Sequence, residues 1–168
     1  STLSPSSAAS DVYKRQMVAT GLVGSGWLHK LATDEKLRLP IIHHPAYSGG
    51  FVSPGVSGIA DYLQLGFLPR LFGADMMVFV SYGGRFTFTQ EQCKRISAYI
   101  KHPVGLVKAG CPAPGGGVTD ARLTELVELY GNDTMFLVGG DMFRRGPDLE
   151  SNMAYFVNRL EELSQLKQ

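Results

Sequence analysis

A chain of 168 residues, 44% hydrophobic and 18% charged, is the length of one domain, and its composition excludes a disordered polymer. The 16 basic and 15 acidic side chains are dispersed and leave a formal net charge of +1, which excludes the basic footprint of a nucleic-acid binder. No apolar run approaches the roughly 20 residues of a membrane helix, and Cys93 and Cys111 fit neither a disulfide framework nor a zinc spacing, so the expectation is a soluble, cytoplasmic enzyme domain.

Residues 1–16 are small, polar and without periodicity, and residues 11–16 resemble the in-frame translation of a transposase adapter. This segment is expected to lie outside the fold, with the natural sequence beginning near Met17. Residues 26–35 place Trp27, Leu28 and Leu31 at helical spacing, and residues 40–44 read as a short buried strand stopped by Pro45. A glycine-, serine- and proline-rich loop runs to Ser57. A helix over 59–72 follows, with Leu63, Phe67 and Leu71 on one face and Pro69 as a kink or early stop. The apolar run 76–80 is a strand of the kind buried on both faces.

Thr89 is placed to cap a helix through Lys101, and residues 104–107 are expected to form the next strand. Thr119 or Asp120 begins a helix in which Leu123, Leu126, Val127 and Tyr130 share a face, closed by Gly131. A last strand over 135–138 and a helix over 149–163 complete the chain. Four strand–helix units in succession imply an α/β fold with a parallel sheet and right-handed crossovers, about half of a closed (β/α)8 barrel.

Ligands of parallel sheets bind at the C-terminal ends of the strands, which directs attention to four loops. His44 ends the first strand and could bind substrate or transfer a proton, whereas His43 alternates to the opposite face as a packing residue. Arg85, in a Gly-Gly-Arg-Phe loop after the second strand, is placed to reach an anion or a developing negative charge; a solvated loop arginine is the plainer alternative. After the third expected strand come Lys108, which could hold phosphate or carboxylate, and then Gly115, Gly116 and Gly117. Gly139 and Gly140 follow the fourth. Glycines let a backbone approach an anion closely, though they also serve tight turns; two clusters in matching positions favour phosphate. His29 and His102 fall on helices as surface residues, Asp61, Asp75 and Asp120 read as capping residues, and Asp141 stands alone, so no metal cage is assembled.

Three stretches resemble the RuBisCO-like (form IV) branch of the RuBisCO large-subunit superfamily. They are His44-Pro45-Ala46-Tyr47-Ser48-Gly49, the run from Gly73-Ala74-Asp75 through Tyr82-Gly83-Gly84-Arg85-Phe86, and Cys111-Pro112-Ala113-Pro114-Gly115-Gly116-Gly117; Gly139-Gly140 fits as well. The resemblance implies that residues 17–168 are the C-terminal half of a TIM-type barrel, strands five to eight, and therefore incomplete. It implies a substrate-contacting role for His44 and phosphate-binding roles for Gly116, Gly117, Gly139 and Gly140, with Gly115 in place of a serine or alanine. Arg85 falls where true carboxylases carry the lysine of a mobile loop, which speaks against carbon fixation.

The same resemblance implies a magnesium-dependent parent enzyme, homodimeric, acting on a phosphorylated sugar or sugar acid by enolisation, isomerisation or decarboxylation. Its magnesium would be held by a carbamylated lysine with Asp and Glu on a second strand, which this chain lacks, so the fragment alone is expected to be inactive. Two other readings stand beside it. One is another phosphate-binding barrel aldolase or isomerase, for which Lys108 is the one candidate Schiff-base lysine; the other is a non-catalytic half-barrel.

Overall fold

The computed structural model describes residues 16–52 and 58–165. The expected tail, apart from Gln16, and the end of the loop reaching Ser57 lie outside the described residues. The expected α/β class is found: four strands, β1 (Gln16–Val18), β2 (Ile41–His43), β3 (Met76–Val80) and β4 (Cys111–Gly115), form a parallel sheet in sequential order. Among the described residues no helix is long and apolar enough to cross a membrane.

Helices fill the crossovers. α1 (Thr20–Val23) and α2 (Ser25–Ala32) link β1 to β2, and α3 (Gly49–Val52) follows β2. A π-helical stretch (Leu63–Phe67) runs directly into α4 (Leu68–Leu71) before β3. α5 (Gln90–Lys101) joins β3 to β4, a 3-10 turn (Asp120–Arg122) leads into α6 (Leu123–Tyr130), and α7 (Gly139–Arg144) and α8 (Leu149–Gln165) finish the described chain. Thr89 caps α5 as expected: its hydroxyl accepts from the Gln92 amide at 3.2 Å, and the Gln92 side chain accepts from the Thr89 amide at 2.9 Å.

The π-helical stretch has a cause in the sequence. Pro69 has no N–H to continue an i→i−4 ladder, and a wider turn just ahead of it accommodates its ring. Gly66 lets this segment approach α5 closely, since a Cβ there would sit 3.3 Å from the Ile96 carbonyl oxygen.

Alternation along the strands separates two faces. Ile41, Met77 and Phe79 face the helices and join Leu65, Cys93, Ile96, Ile100, Leu126 and Phe156 in the main core. Each such aliphatic or aromatic side chain contributes roughly 1.5–3 kcal/mol on burial. Ile42, Val78 and Ala113 face the other way and form a small second cluster with Met76, Met135 and Leu137.

Three expectations are corrected. Residues 104–107 are not a strand: Val104 and Val107 exchange backbone hydrogen bonds of 3.0 and 2.9 Å around a tight turn with Gly105 at φ +56. The third expected strand lies instead at β4, within a stretch read as loop. Among the described residues, 135–138 make an isolated bridge rather than a strand, Leu137 opposite Gly115. The physical reason lies in Pro112 and Pro114. In a parallel strand the N–H and C=O of one residue face the same neighbour. The carbonyls of Pro112 and Pro114 accept from Met135 and Leu137 at 2.9 and 3.1 Å, so the missing proline N–H groups are those that would have addressed residues 135–138. Residues 111 and 115 bond β3 instead, through Cys111 N–H to Asp75 O and Ser81 N–H to Gly115 O. Finally β1, which includes Gln16, was not anticipated; its Gln16 amide donates to Pro40 O at 3.0 Å, and Val18 O accepts from His44 at 2.8 Å.

Candidate functional site

The C-terminal ends of β2, β3 and β4 open into a cleft of about 620 Å³, lined among others by His44, Tyr47, Arg85, Phe86, Gly115 and Gly116. Each reaches it for a local reason. His44 follows the buried His43 at the end of β2, and its Nδ1 accepts from the Ala46 amide at 3.2 Å. A neutral His44 ring with that contact carries its proton on Nε2. Arg85 is exposed, and its guanidinium lies 4.7 Å over the Phe86 ring. Gly115 ends β4, and Gly116 and Gly117 follow in the left-handed region at φ +76 and +69. Successive residues of that kind turn the backbone sharply and present N–H groups to one side.

The structure thus brings His44, Arg85, Gly115 and Gly116 together. Gly117 sits just behind them against Gly84, where an added Cβ would meet the Gly84 nitrogen at 2.8 Å. Gly139 and Gly140 do not line the cleft; they open α7 immediately after Val138, one residue beyond Leu137, which does line it. Lys108 is at the other end of the sheet. It precedes β4 because the strand starts at Cys111 rather than at residue 104, and it lines a separate hollow of about 430 Å³ with Arg70 and Leu106. A larger cleft of about 900 Å³ also lies at that N-terminal end, around Pro40, Asp75 and Cys111. Parallel sheets bind their ligands at the opposite end, so the smaller cleft is the candidate site.

Two residues at the rim stood in the sequence only as members of longer motifs, with no role of their own. Tyr47 is 73% exposed and holds φ +63, an uncommon conformation for an aromatic residue. Phe86 is half exposed and supplies an apolar wall. Backbone strain of Tyr47's kind is invisible in sequence and concentrates at binding sites.

The neighbouring His43 is wholly buried and plays the structural part expected of it. Its Nε2 lies 2.8 Å from the Thr20 hydroxyl, and its Nδ1 has no hydrogen-bond partner among the described residues. Burial, with a smaller contribution from His44, pushes its pKa down to about 4, so the ring is neutral at pH 7.

The aspartates singled out in the sequence are engaged by the protein itself. Asp141 accepts from the Asp120 amide at 2.8 Å and from Arg144 at 3.0 Å, and that backbone N–H holds its carboxyl below the usual range. Asp75 accepts from the Ile41 amide at 2.8 Å, and Asp61 from the Tyr62 amide and Arg95. Among the described residues no three His, Cys, Asp or Glu side chains come together to hold a metal ion, so the residues present do not fit a magnesium site.

No family model matches the chain. It is 33% identical over 152 residues to ribulose bisphosphate carboxylase-like protein 1 of Rhodopseudomonas palustris, covering 88% of this chain and 39% of that protein. It is 31% identical to the 5-methylthioribulose-1-phosphate isomerase of Rhodospirillum rubrum, over 84% of this chain and 36% of the relative. To the 2,3-diketo-5-methylthiopentyl-1-phosphate enolase of Exiguobacterium sibiricum it is 32% identical, over 74% and 31%. A solved RuBisCO-like protein from Rhodopseudomonas palustris superposes with a TM-score of 0.78 at 32% identity, covering 93% of this chain and 40% of that one. The chain spans about two fifths or less of the length of these proteins, and its sheet and helices are those of the C-terminal half of a TIM-type barrel.

Proposed function

The chain belongs to the RuBisCO-like branch of the RuBisCO large-subunit superfamily, and from that premise we propose that its C-terminal cleft forms part of an active site for a phosphorylated sugar derivative. The observation that carries the proposal is the convergence of His44, Arg85, Gly115 and Gly116 on one cleft from three separate strand ends. The reaction class is proton transfer beside a carbonyl, in an enolisation, isomerisation or decarboxylation rather than carbon fixation. Two of the matched relatives are named as an isomerase and an enolase of methylthio-sugar phosphates.

In this reading the glycine turn after β4, with Gly117 behind it, binds the phosphate through backbone N–H groups, and Gly139 and Gly140, which open α7 outside the cleft lining, would add N–H groups from a distance. Arg85 covers the reacting end and balances negative charge as it develops on the carbonyl oxygen. His44, with its proton on Nε2, donates a hydrogen bond to a substrate oxygen. Tyr47 and Phe86 shield the cleft from water and pack an apolar substituent. Magnesium finds no ligand set among the described residues, and no step here depends on it. A homodimeric parent of the relatives' full length remains part of the proposal. The aldolase alternative is weakened, because its candidate lysine, Lys108, lies across the sheet from the cleft.

The test is a titration of the 168-residue chain with 5-methylthioribulose 1-phosphate, followed by amide and imidazole NMR shifts. Shifts at His44, Arg85 and Gly115 to Gly117, weakened at least fivefold in Arg85→Ala, are expected. Shifts confined to the cleft around Pro40 and Asp75, or no binding at all, would sink the proposal.

A further inference from the structure

We infer that Arg122, outside the cleft, is a positioning residue that locks the loop after β3 onto the glycine turn after β4 and so sets the spacing of Arg85 from Gly115 and Gly116. Its use for substrate rests on the anion-binding reading of the cleft, but the lock is independent of that reading.

Arg122 ends the 3-10 turn, and one nitrogen of its guanidinium, Nη1, donates both to Tyr82 O at 2.8 Å and to Gly117 O at 2.9 Å. These carbonyls belong to the two loops in question. The guanidinium plane lies 4.5 Å over the Tyr82 ring, while Nε and Nη2 each donate to Glu125 at 3.3 Å. The Tyr82 hydroxyl donates to the same carboxylate. Arg122 and Tyr82 hold Glu125 below the usual carboxylate range, so the brace is charged at neutral pH.

The backbone is shaped to this brace. A Cβ on Gly83, which sits at φ +74, would stand 2.6 Å from Arg122 Nη1. A Cβ on Gly84 would stand 3.0 Å from Gly117 N, so the two loops touch backbone to backbone. Arg85 is the next residue, and Gly115 and Gly116 precede the contact on the other side. A fork of planar donors can join two carbonyls, a ring face and a carboxylate at once; an ammonium can satisfy only part of that set.

The test uses the whole chain as wild type, Arg122→Met, Arg122→Lys and Glu125→Gln. Two readouts are taken: 15N relaxation at Gly83, Gly84, Gly116 and Gly117, and the affinity for inorganic phosphate. Arg122→Met should loosen all four glycines on the nanosecond scale while Phe79 and Ala113 stay rigid, and should raise the phosphate Kd at least fivefold. Arg122→Lys should fall between, and Glu125→Gln should move both readouts about twofold in the same direction. Glycines as ordered in Arg122→Met as in wild type would refute the lock, and loosened glycines with unchanged phosphate affinity would reduce Arg122 to a structural brace. If Arg122→Met fails to fold, Glu125→Gln decides, and unchanged readouts there overturn the inference. If wild type binds no phosphate, the anion-binding reading fails, while the relaxation data still accept or reject the lock.

Discussion

Gly116 and Gly117 offer a controlled pair of substitutions. Both are in the turn after β4, both have positive φ (+76 and +69), and they differ in what a Cβ would meet. At Gly116 no described residue comes within 4 Å of such a Cβ, so Gly116→Ala carries only the left-handed backbone cost, about 1–2 kcal/mol. At Gly117 the same cost applies, but the new methyl would lie 2.8 Å from Gly84 N, 3.0 Å from Gly84 Cα and 3.1 Å from Gly83 C. Backbone cannot rotate aside as a side chain can, so one loop must move, adding about 1–3 kcal/mol of overpacking. At about 3 °C per kcal/mol for a chain of this size, Gly117→Ala should melt about 3–9 °C below Gly116→Ala. The assay is thermal unfolding by circular dichroism, with phosphate titration alongside. The displaced loop carries Arg85, so Gly117→Ala should also bind phosphate more weakly than Gly116→Ala. Equal melting temperatures for the two variants would refute the claim that these loops are in contact.

Two further outcomes follow from buried polar groups. His43 has a native pKa near 4 against an ordinary 6.5, so the unfolded chain takes up the proton first; its contribution is fully present above about pH 6.5 and drains away as pH falls toward 4. The loss amounts to about 3 kcal/mol across that window, and a pH series of melting temperatures should show a shallower acid limb in His43→Gln; identical slopes would reject the assignment. Arg70 is buried, with its Nε donating to Lys108 O at 3.0 Å and its terminal nitrogens to the carbonyls of Tyr99 and Val107. Arg70→Lys cannot reach all three carbonyls and should cost about 1.5–3 kcal/mol in urea unfolding, a midpoint equal to wild type being the contrary result.

Several elements were legible from local pattern because their causes are local. The apolar run of β3 needed no partner to be read, and the capping of α5 by Thr89 is a contact between residues three apart. The glycine turn and the Gly-Gly-Arg loop were recognisable as candidate binding loops on residue type alone. β4 was not, because Pro112 and Pro114 mark a loop by every local rule and are tolerated only because their missing N–H groups fall on the side toward residues 135–138. That single misplacement moved Lys108 from one end of the sheet to the other. β1 begins at Gln16, inside the segment read as lying outside the fold, and its three residues lack the contiguous apolar run that marked β2.

The sequence by itself therefore determined the α/β class, the family resemblance and the residue types at the strand ends, all properties of short stretches. Only the tertiary structure decided which loops meet. It brought Arg85 and the Gly115-Gly116 turn to one cleft, left Lys108 at the other end of the sheet, and set Arg122, 37 residues after Arg85, between the two loops. The reason is that sheet pairing depends on which backbone groups of distant strands remain free to bond. No window of the chain contains that information.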